Sequence, residues 1–130
     1  MKKQLPIVVV EDNEMSQQLI VHQLKRIGLV DVKVLSNGAD AIAWLSNNEC
    51  AVVLADCQMP TMDGYEMARR IRQAEKLTGK HVNIIAITAG AMDADKALCF
   101  EAGMDGYLSK PTQIATIREA LAPWIPERQK

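Results

Sequence analysis

The sequence predicts an α/β protein with a doubly wound, five-stranded parallel sheet and five helices on its two faces. Short aliphatic runs alternate along the chain with segments whose apolar residues recur at helical spacing. Strand–helix–strand repeats form parallel sheets, because each crossover helix returns the chain to the same edge. Three of the runs are continuously aliphatic, which is typical of central strands covered on both faces.

The first strand and helix occupy the first 28 residues. Residues 7–10 read Ile-Val-Val-Val and predict a buried strand. A helix is predicted over 15–27, and Gly28 after it is a typical helix stop. The apolar stripe of this helix consists of Leu19, Ile20, Leu24 and Ile27.

A second strand–helix unit follows. Residues 30–35 alternate loosely between apolar and polar types, as expected of a strand at the edge of a sheet. The Ser-Asn-Gly turn at 36–38 leads into a helix over 39–45, in which Ile42 and Leu45 face the core.

The middle of the chain predicts a third strand over 51–55 and, after a loop at 58–64 that contains proline and glycine, a helix over 65–73. A fourth strand is predicted over 82–87. The inward-facing residues of the helix are Met67, Ala68 and Ile71.

The last third predicts a helix over 93–102, a short strand over 107–109 and a helix over 114–121. Thr112 could cap the last helix, and Pro123 would stop it.

Size and composition indicate one domain, predicted over 5–126, with polar, flexible ends at 1–4 and 127–130. The chain has 130 residues, 48% of them hydrophobic, which is enough for a core without disulfides. A net charge of −1 provides no basic surplus for nucleic acid. The apolar runs are too short for a membrane span or a signal peptide, so we expect a cytoplasmic domain without membrane contact.

The cysteines and histidines do not form a recognisable metal or disulfide pattern. Cys50, Cys57 and Cys99 are odd in number and lack CxxC spacing, and His22 and His81 are far apart. We expect free, structural thiols, because free cysteine behaves mostly as a small hydrophobic residue.

Polar side chains follow four of the predicted strands at their carboxyl ends. Glu11 and Asp12 follow the first strand, Asp56 the third, Thr88 the fourth and Lys110 the fifth. Ligands of open parallel sheets bind outside the carboxyl ends of the strands. We therefore expect three carboxylates, one hydroxyl and one ammonium around a single crevice.

This set of side chains suits Mg²⁺ and phosphoryl chemistry. Crowded carboxylates repel one another, and Mg²⁺ prefers oxygen ligands, so Asp12 and Asp56 can bind it, with Glu11 acting directly or through water. A carboxylate beside Mg²⁺ can attack phosphorus, and Asp56, which follows a central strand, is the best-placed nucleophile. Lys110 and Thr88 can bind phosphoryl oxygens.

These residues belong to four motifs that occur in a fixed order between residues 7 and 125. The motifs are Glu11-Asp12-Asn13, the stretch ADCQMPTMDG at 55–64, Thr88-Ala89, and Tyr107-Leu108-Ser109-Lys110-Pro111. In this order the chain resembles the response-regulator receiver domains of two-component signalling. The wording DCQMPTMDGYEMARRIR is most similar to receivers carried by hybrid sensor histidine kinases.

The resemblance implies the flavodoxin-like strand order 2-1-3-4-5 and a site whose parts have defined roles. Asp56 would accept phosphate from a phosphohistidine, and Thr88 and Lys110 would bind the phosphoryl group. The Mg²⁺ ligands would be Asp12, Asp56 and the backbone carbonyl of Gln58, with Glu11 assisting.

The resemblance also implies a switch and partners. Lys110–Pro111 would be a cis peptide, and Tyr107 would turn inward as Thr88 moves toward the phosphate, whose charge is ~−1.5 to −2. The module would catalyse its own phosphorylation and dephosphorylation. The chain departs from similar receivers at Gly90, where they often carry a polar residue, and glycine offers no side chain to direct an attacking water. We therefore predict that Gln58 and Gly90 tune the phosphoryl lifetime in part. Its donor would be a histidine kinase in cis or in trans, which could be membrane-bound, and a histidine-phosphotransfer protein would follow. A homodimer through the fourth and fifth helices stays open.

Three other functions compete with this interpretation. A flavodoxin-like cofactor binder would need a Ser/Thr/Gly-rich loop after the first strand, where Glu11-Asp12-Asn13 stand instead. A Mg²⁺-dependent phosphohydrolase would need a cap domain to enclose its substrate. A pseudo-receiver that serves only as a binding surface would have no need of all five site residues.

Overall fold

A single parallel sheet forms the centre of the computed structural model, which describes residues 5–59, 62–89 and 93–124. Its strands pair in the order β2-β1-β3-β4-β5, and all four pairings are parallel. This confirms the predicted fold class and strand order. The strands are β1 (Ile7–Val10), β2 (Val32–Leu35), β3 (Val52–Asp56), β4 (Ile84–Thr88) and β5 (Gly106–Ser109).

The helices divide between the two faces of the sheet. They are α1 (Glu14–Arg26), α2 (Gly38–Leu45), α3 (Gly64–Thr78), α4 (Asp93–Glu101) and α5 (Ile114–Ala120), and a short 3₁₀ turn follows at Ala122–Trp124. α1 and α5 pack on one face, and α2, α3 and α4 pack on the other. Successive strand residues point to opposite faces, so Val9 joins the α1–α5 cluster and Val8 joins the other.

The burial of the strands follows their position in the sheet. Every residue of β1, β3 and β4 is buried, whereas the residues of β2 are exposed or half-buried. The continuous aliphatic runs are therefore the central strands, as predicted, and the mixed run is an edge strand.

Most predicted element ends lie within two residues of the observed ones, but α3 ends five residues later than predicted. It continues to Thr78 and ends at Gly79, whose φ of 76° is the left-handed conformation that glycine adopts most readily. The predicted fourth strand starts two residues too early, because the backbone N–H of Val82 donates to Glu75 Oε2 (2.7 Å) and not to a strand.

Two side-chain predictions were wrong. Leu19 belongs to the predicted apolar stripe of α1 but is 47% exposed, because α5 and the sheet contact α1 along Ile20 and Leu24. Thr112 does not cap α5: the N-cap residue is Gln113, and the Thr112 hydroxyl donates instead to Gln23 Oε1 (2.8 Å).

A charged network joins α3 to the amino ends of β4 and β5. Arg72 donates to Glu75 Oε1 (2.7 Å), to Asp105 Oδ2 (2.7 Å) and to the carbonyl of Gly103 (2.8 Å). Asp105 Oδ2 also accepts from the backbone N–H of Ile84 (2.8 Å). Because Arg72 and Glu75 are largely buried, each charge has a partner where water is scarce. This Arg72 network lies at the amino ends of the strands, on the opposite side of the sheet from the predicted site residues, which follow the carboxyl ends.

None of the helices in the described part of the chain is long and apolar enough to cross a membrane. The predicted flexible ends at 1–4 and 127–130, the predicted domain end at 126 and Gly90 lie outside the described residues.

Candidate functional site

Three carboxylates meet where β1 and β3 end. The two strands are neighbours in register, with Val10 opposite Ala55, so the turn after β1 lies beside Asp56. One carboxylate oxygen from each of Glu11, Asp12 and Asp56 lies within 4.8 Å of the other two. Glu11 and Asp56 are 4% and 2% exposed, whereas Asp12 is exposed. The cluster is therefore a cleft with two buried acids and one acid open to water.

Lys110 brings a positive charge to this cluster from the end of β5. Its Nζ donates to Asp56 Oδ1 at 3.1 Å, and the backbone N–H of Gln58 donates to the same oxygen at 3.0 Å. The backbone N–H of Lys110 donates to the carbonyl of Thr88 (2.8 Å), and the Lys110–Pro111 peptide is cis. Asp56 is thus oriented by two donors from different segments of the chain.

Thr88 and Tyr107 lie on the next two strands. Thr88 is the last residue of β4 and is buried. Tyr107 is half-buried on β5, and Lys96 Nζ of α4 lies 5.0 Å from the centroid of its ring, which is within cation–π range. The structure therefore brings all the predicted side chains except Tyr107 to one edge of the sheet, and it holds Tyr107 against α4.

Burial raises the pKa of Glu11 from its usual 4.5 to about 7; the Asn13 N–H bonded to Glu11 Oε2 (3.1 Å) opposes this shift, and the Asp56 charge adds to it. A divalent cation would stabilise the charged form of the buried Glu11 carboxylate and offset the charge of Asp56 beside it. Three carboxylates that include an exposed one fit Mg²⁺, which keeps several waters. Glu11, Asp12 and Asp56 could therefore hold this ion.

We expect the affinity for Mg²⁺ to rise with pH up to about 7 and then to level off, because the ion must displace the proton of Glu11. Below that pKa, each pH unit lowers the affinity by up to about tenfold. The Glu11 carboxyl binds its proton more tightly in the folded, metal-free protein than in the unfolded chain, where its pKa is 4.5. The stability that this proton contributes is therefore fully present below pH 4.5 and is lost as pH rises through about 7. Calorimetric Mg²⁺ titrations between about pH 5.5 and 8 measure the first effect.

Glu11→Gln is the control for this prediction, since an amide does not titrate in this range. Its affinity should be weaker and flat below pH 7. An unchanged slope in this variant would assign the proton to another group, and a flat wild-type profile would contradict the prediction.

Local sequence explains how the strand ends become turns and helices. Asn13 caps α1 by accepting from the Ser16 N–H, and Asp63 caps α3 by accepting from the Glu66 N–H, both at 2.9 Å. Gly64 starts α3 so close to β3 that a Cβ there would lie 2.7 Å from the carbonyl oxygen of Asp56. Only glycine permits this approach, which packs the start of α3 against the strand end that carries Asp56.

Two glutamines of α1 support the site, and neither is among the site residues predicted from the sequence. Gln17 Nε2 donates to the carbonyl of Glu11 (2.6 Å), and Gln23 Nε2 donates to the carbonyl of Thr112 (2.8 Å). A signal for Gln23 was present, since it stands three residues after Ile20 on the apolar stripe, where a polar side chain needs buried partners.

Fold and site together define a doubly wound α/β domain with an acidic cleft, in which a lysine side chain contacts one of the carboxylates. The profile of the response regulator receiver domain family matches residues 7–122. Because this match covers most of the chain, the protein belongs to the response regulator receiver domain family.

One similar protein is a hybrid signalling protein. The chain is 40% identical over 119 residues to the hybrid signal transduction protein dokA of Dictyostelium discoideum, a match that covers 92% of this chain and 7% of that protein. It therefore spans only a small part of that relative.

Two solved structures share the fold over nearly the whole chain. The receiver domain of the sensor histidine kinase PA1611 from Pseudomonas aeruginosa PAO1, which has a magnesium ion coordinated in its active-site cleft, has a TM-score of 0.81 and 35% identity; the match covers 94% of this chain and 98% of that one. The co-crystal structure of the Saccharomyces cerevisiae histidine phosphotransfer protein Ypd1 with the receiver domain of Ssk1 gives a TM-score of 0.85 and 26% identity, covering 95% and 90%.

Proposed function

We propose that this chain is the phospho-acceptor domain of a phosphorelay and that Asp56 takes a phosphoryl group from a phosphohistidine. One observation carries the proposal: Asp56 is buried at the end of a central strand, in contact with Lys110 Nζ at 3.1 Å and beside two further carboxylates. A structural salt bridge would need only one acid, whereas this arrangement holds three acids against their mutual repulsion.

In the proposed transfer, an Asp56 carboxylate oxygen forms a bond to phosphorus as the phosphorus–nitrogen bond of the donor breaks. The electron pair of that bond leaves with the imidazole, and the product is an acyl phosphate. Lys110 changes partner from Asp56 Oδ1 to a phosphoryl oxygen, and the Thr88 hydroxyl donates to another. The Gln58 N–H keeps the carboxylate oriented during the attack.

Glu11, Asp12 and Asp56 would hold Mg²⁺, and we propose the backbone carbonyl of Gln58 as a further ligand. When bound, the ion supplies positive charge that screens the repulsion between the carboxylate and the phosphoryl group. The three carboxylate oxygens that lie within 4.8 Å of one another are the feature of this chain that supports the assignment.

We propose that phosphorylation is read out through Thr88 and Tyr107. The added charge, ~−1.5 to −2 for a phosphorylated side chain, would draw Thr88 toward the site and free space for the Tyr107 ring. Such a movement would break the contact between this ring and Lys96 on α4. The surface formed by α4, β5 and α5 would then change, and it is also where we propose a homodimer could form.

The partners in this proposal are a histidine kinase, in the same chain or a separate one, and a histidine-phosphotransfer protein. The resemblance to dokA supports a place within a hybrid protein, and the Ypd1–Ssk1 complex supports the second partner. The predicted domain, 5–126, would then act as a module that promotes its own phosphorylation and dephosphorylation.

Incubation with Mg²⁺ and phosphoramidate, whose phosphorus–nitrogen bond resembles that of phosphohistidine, tests the proposal. Intact-mass measurement should show the gain of one phosphoryl group, and a chelator should suppress it. A chase with a histidine-phosphotransfer protein should then remove the group. A mass that stays unchanged in the presence of Mg²⁺ would refute the proposal, and steady hydrolysis of external phosphate esters would favour the phosphohydrolase alternative.

A further inference from the structure

The loop that carries Lys110 is bound to α1 by a reciprocal pair of hydrogen bonds. Gln23 Nε2 donates to the carbonyl of Thr112, and the Thr112 hydroxyl donates to Gln23 Oε1, each at 2.8 Å. Gln23 is only 7% exposed, so its amide has little access to water as an alternative partner. This Gln23–Thr112 pair joins residues 89 positions apart in the chain.

The loop between β5 and α5 has no side-chain cap at the start of α5, so it depends more strongly on the Gln23–Thr112 pair. Lys110 is held at its backbone by the carbonyl of Thr88, and Pro111 has no N–H to donate. Gln113, the N-cap residue of α5, makes no side-chain cap bond. The Gln23–Thr112 pair therefore provides the side-chain anchor on the α5 side of Lys110.

The position of Gln23 in α1 makes its chemistry informative. It stands on the buried face of the helix between Ile20 and Leu24, where an apolar side chain would pack without needing any partner. A buried amide is tolerated when both of its polar atoms are bonded, and here both bonds go to one residue of the Lys110 loop. Gln23 thus differs from an apolar residue at this position by its two hydrogen bonds to Thr112.

We propose that Gln23 is a positioning residue for the phosphoryl-binding Lys110. By fixing Thr112, it holds the loop so that Lys110 Nζ stays within reach of the Asp56 carboxylate, 3.1 Å away. Gln23 itself contacts neither Asp56 nor the transferred group. The inference rests on the proposed phospho-acceptor function.

The structure separates this role from metal binding. Glu11, Asp12 and Asp56 lie at the ends of β1 and β3, and the acidic turn is supported by Gln17, not by Gln23. Loss of the Gln23–Thr112 pair should therefore slow phosphoryl uptake and leave the affinity for Mg²⁺ nearly unchanged. A merely structural role would weaken both.

The test compares Gln23→Leu with Gln18→Leu, the same substitution at an exposed position of the same helix. With phosphoramidate and saturating Mg²⁺, Gln23→Leu should lower the rate of phosphorylation about tenfold, since small misplacements of a reacting group are costly. Gln18→Leu should match the wild type, and Mg²⁺ affinity should stay within about twofold in both. Thr112→Val, which keeps the bond from Gln23 Nε2, should be intermediate, and Thr112→Ser should restore the rate.

A double-variant cycle shows whether Gln23 acts through Lys110. In a Lys110→Ala background, Gln23→Leu should have no further effect on the rate, because the ammonium that it positions is gone. Multiplying effects, a Gln23→Leu rate equal to that of Gln18→Leu, or a parallel loss of Mg²⁺ affinity would each overturn the inference. If Gln23→Leu does not fold, Thr112→Val and Thr112→Ser decide the question. A wild-type chain that takes up no phosphoryl group would refute the proposed function, and this inference with it.

Discussion

Asp56→Asn is expected to abolish formation of the phosphoryl adduct, the largest effect of any single substitution in this chain. Asparagine keeps the shape of the side chain and an oxygen that can accept from Gln58 N–H and Lys110 Nζ. It lacks the carboxylate nucleophile, so no acyl phosphate can form. It also removes one of three crowded negative charges, so the variant should fold at least as stably as the wild type at neutral pH. Intact mass after incubation with Mg²⁺ and phosphoramidate measures the first effect, and urea unfolding the second.

Asp31→Asn is a matched control, because Asp31 is exposed at the opposite edge of the sheet, where its backbone carbonyl bonds Ile7 N–H. It loses the same charge and should be phosphorylated like the wild type. An adduct that persists in Asp56→Asn would place the acceptor elsewhere, and peptide mapping would locate it.

Lys110→Ala should lower the rate of phosphorylation by about 10²-fold, the usual effect of removing one preorganised charged donor at a reacting centre. Lys110 contacts Asp56 directly, and its removal leaves a buried carboxylate beside two other acids. The measurement is the initial rate with phosphoramidate, followed by mass spectrometry under saturating Mg²⁺.

Two further substitutions are controls for the Lys110→Ala result. Lys80→Ala removes an exposed lysine near the other edge of the sheet, and its rate should equal that of the wild type. Lys110→Arg keeps the charge but changes the shape of the donor, so its rate should fall between wild type and alanine. Equal rates for wild type and Lys110→Ala would show that the ammonium takes no part in transfer.

The fold was predictable because each central strand is a short aliphatic run and parallel topology follows from the alternation of elements. The largest error, the end of α3, has a local cause. Between Gln73 and Gly79 the helix carries mostly exposed residues, such as Leu77, so its apolar periodicity fades before the helix itself ends. The error at Val82 has a tertiary cause, since its N–H is taken by the Glu75 side chain.

The convergence of Glu11, Asp12, Asp56 and Lys110 was predictable from the rule that strand ends meet at one edge of a parallel sheet. The support around them was not. Gln23 and Thr112 are distant in sequence and have no motif, and their pairing depends on how α1 crosses the sheet. Pairings of this kind follow from packing, not from local pattern.

The Arg72 network stabilises the sheet at the end of the strands opposite the acidic cleft. Its ion pairs connect α3 to the amino ends of β4 and β5, whereas Glu11, Asp12 and Asp56 lie at the carboxyl ends of the strands. Two separate sets of contacts therefore hold the two ends of the strands. Substitutions around Asp56 should therefore leave the ion pairs of Arg72, and with them the attachment of α3 to the sheet, in place.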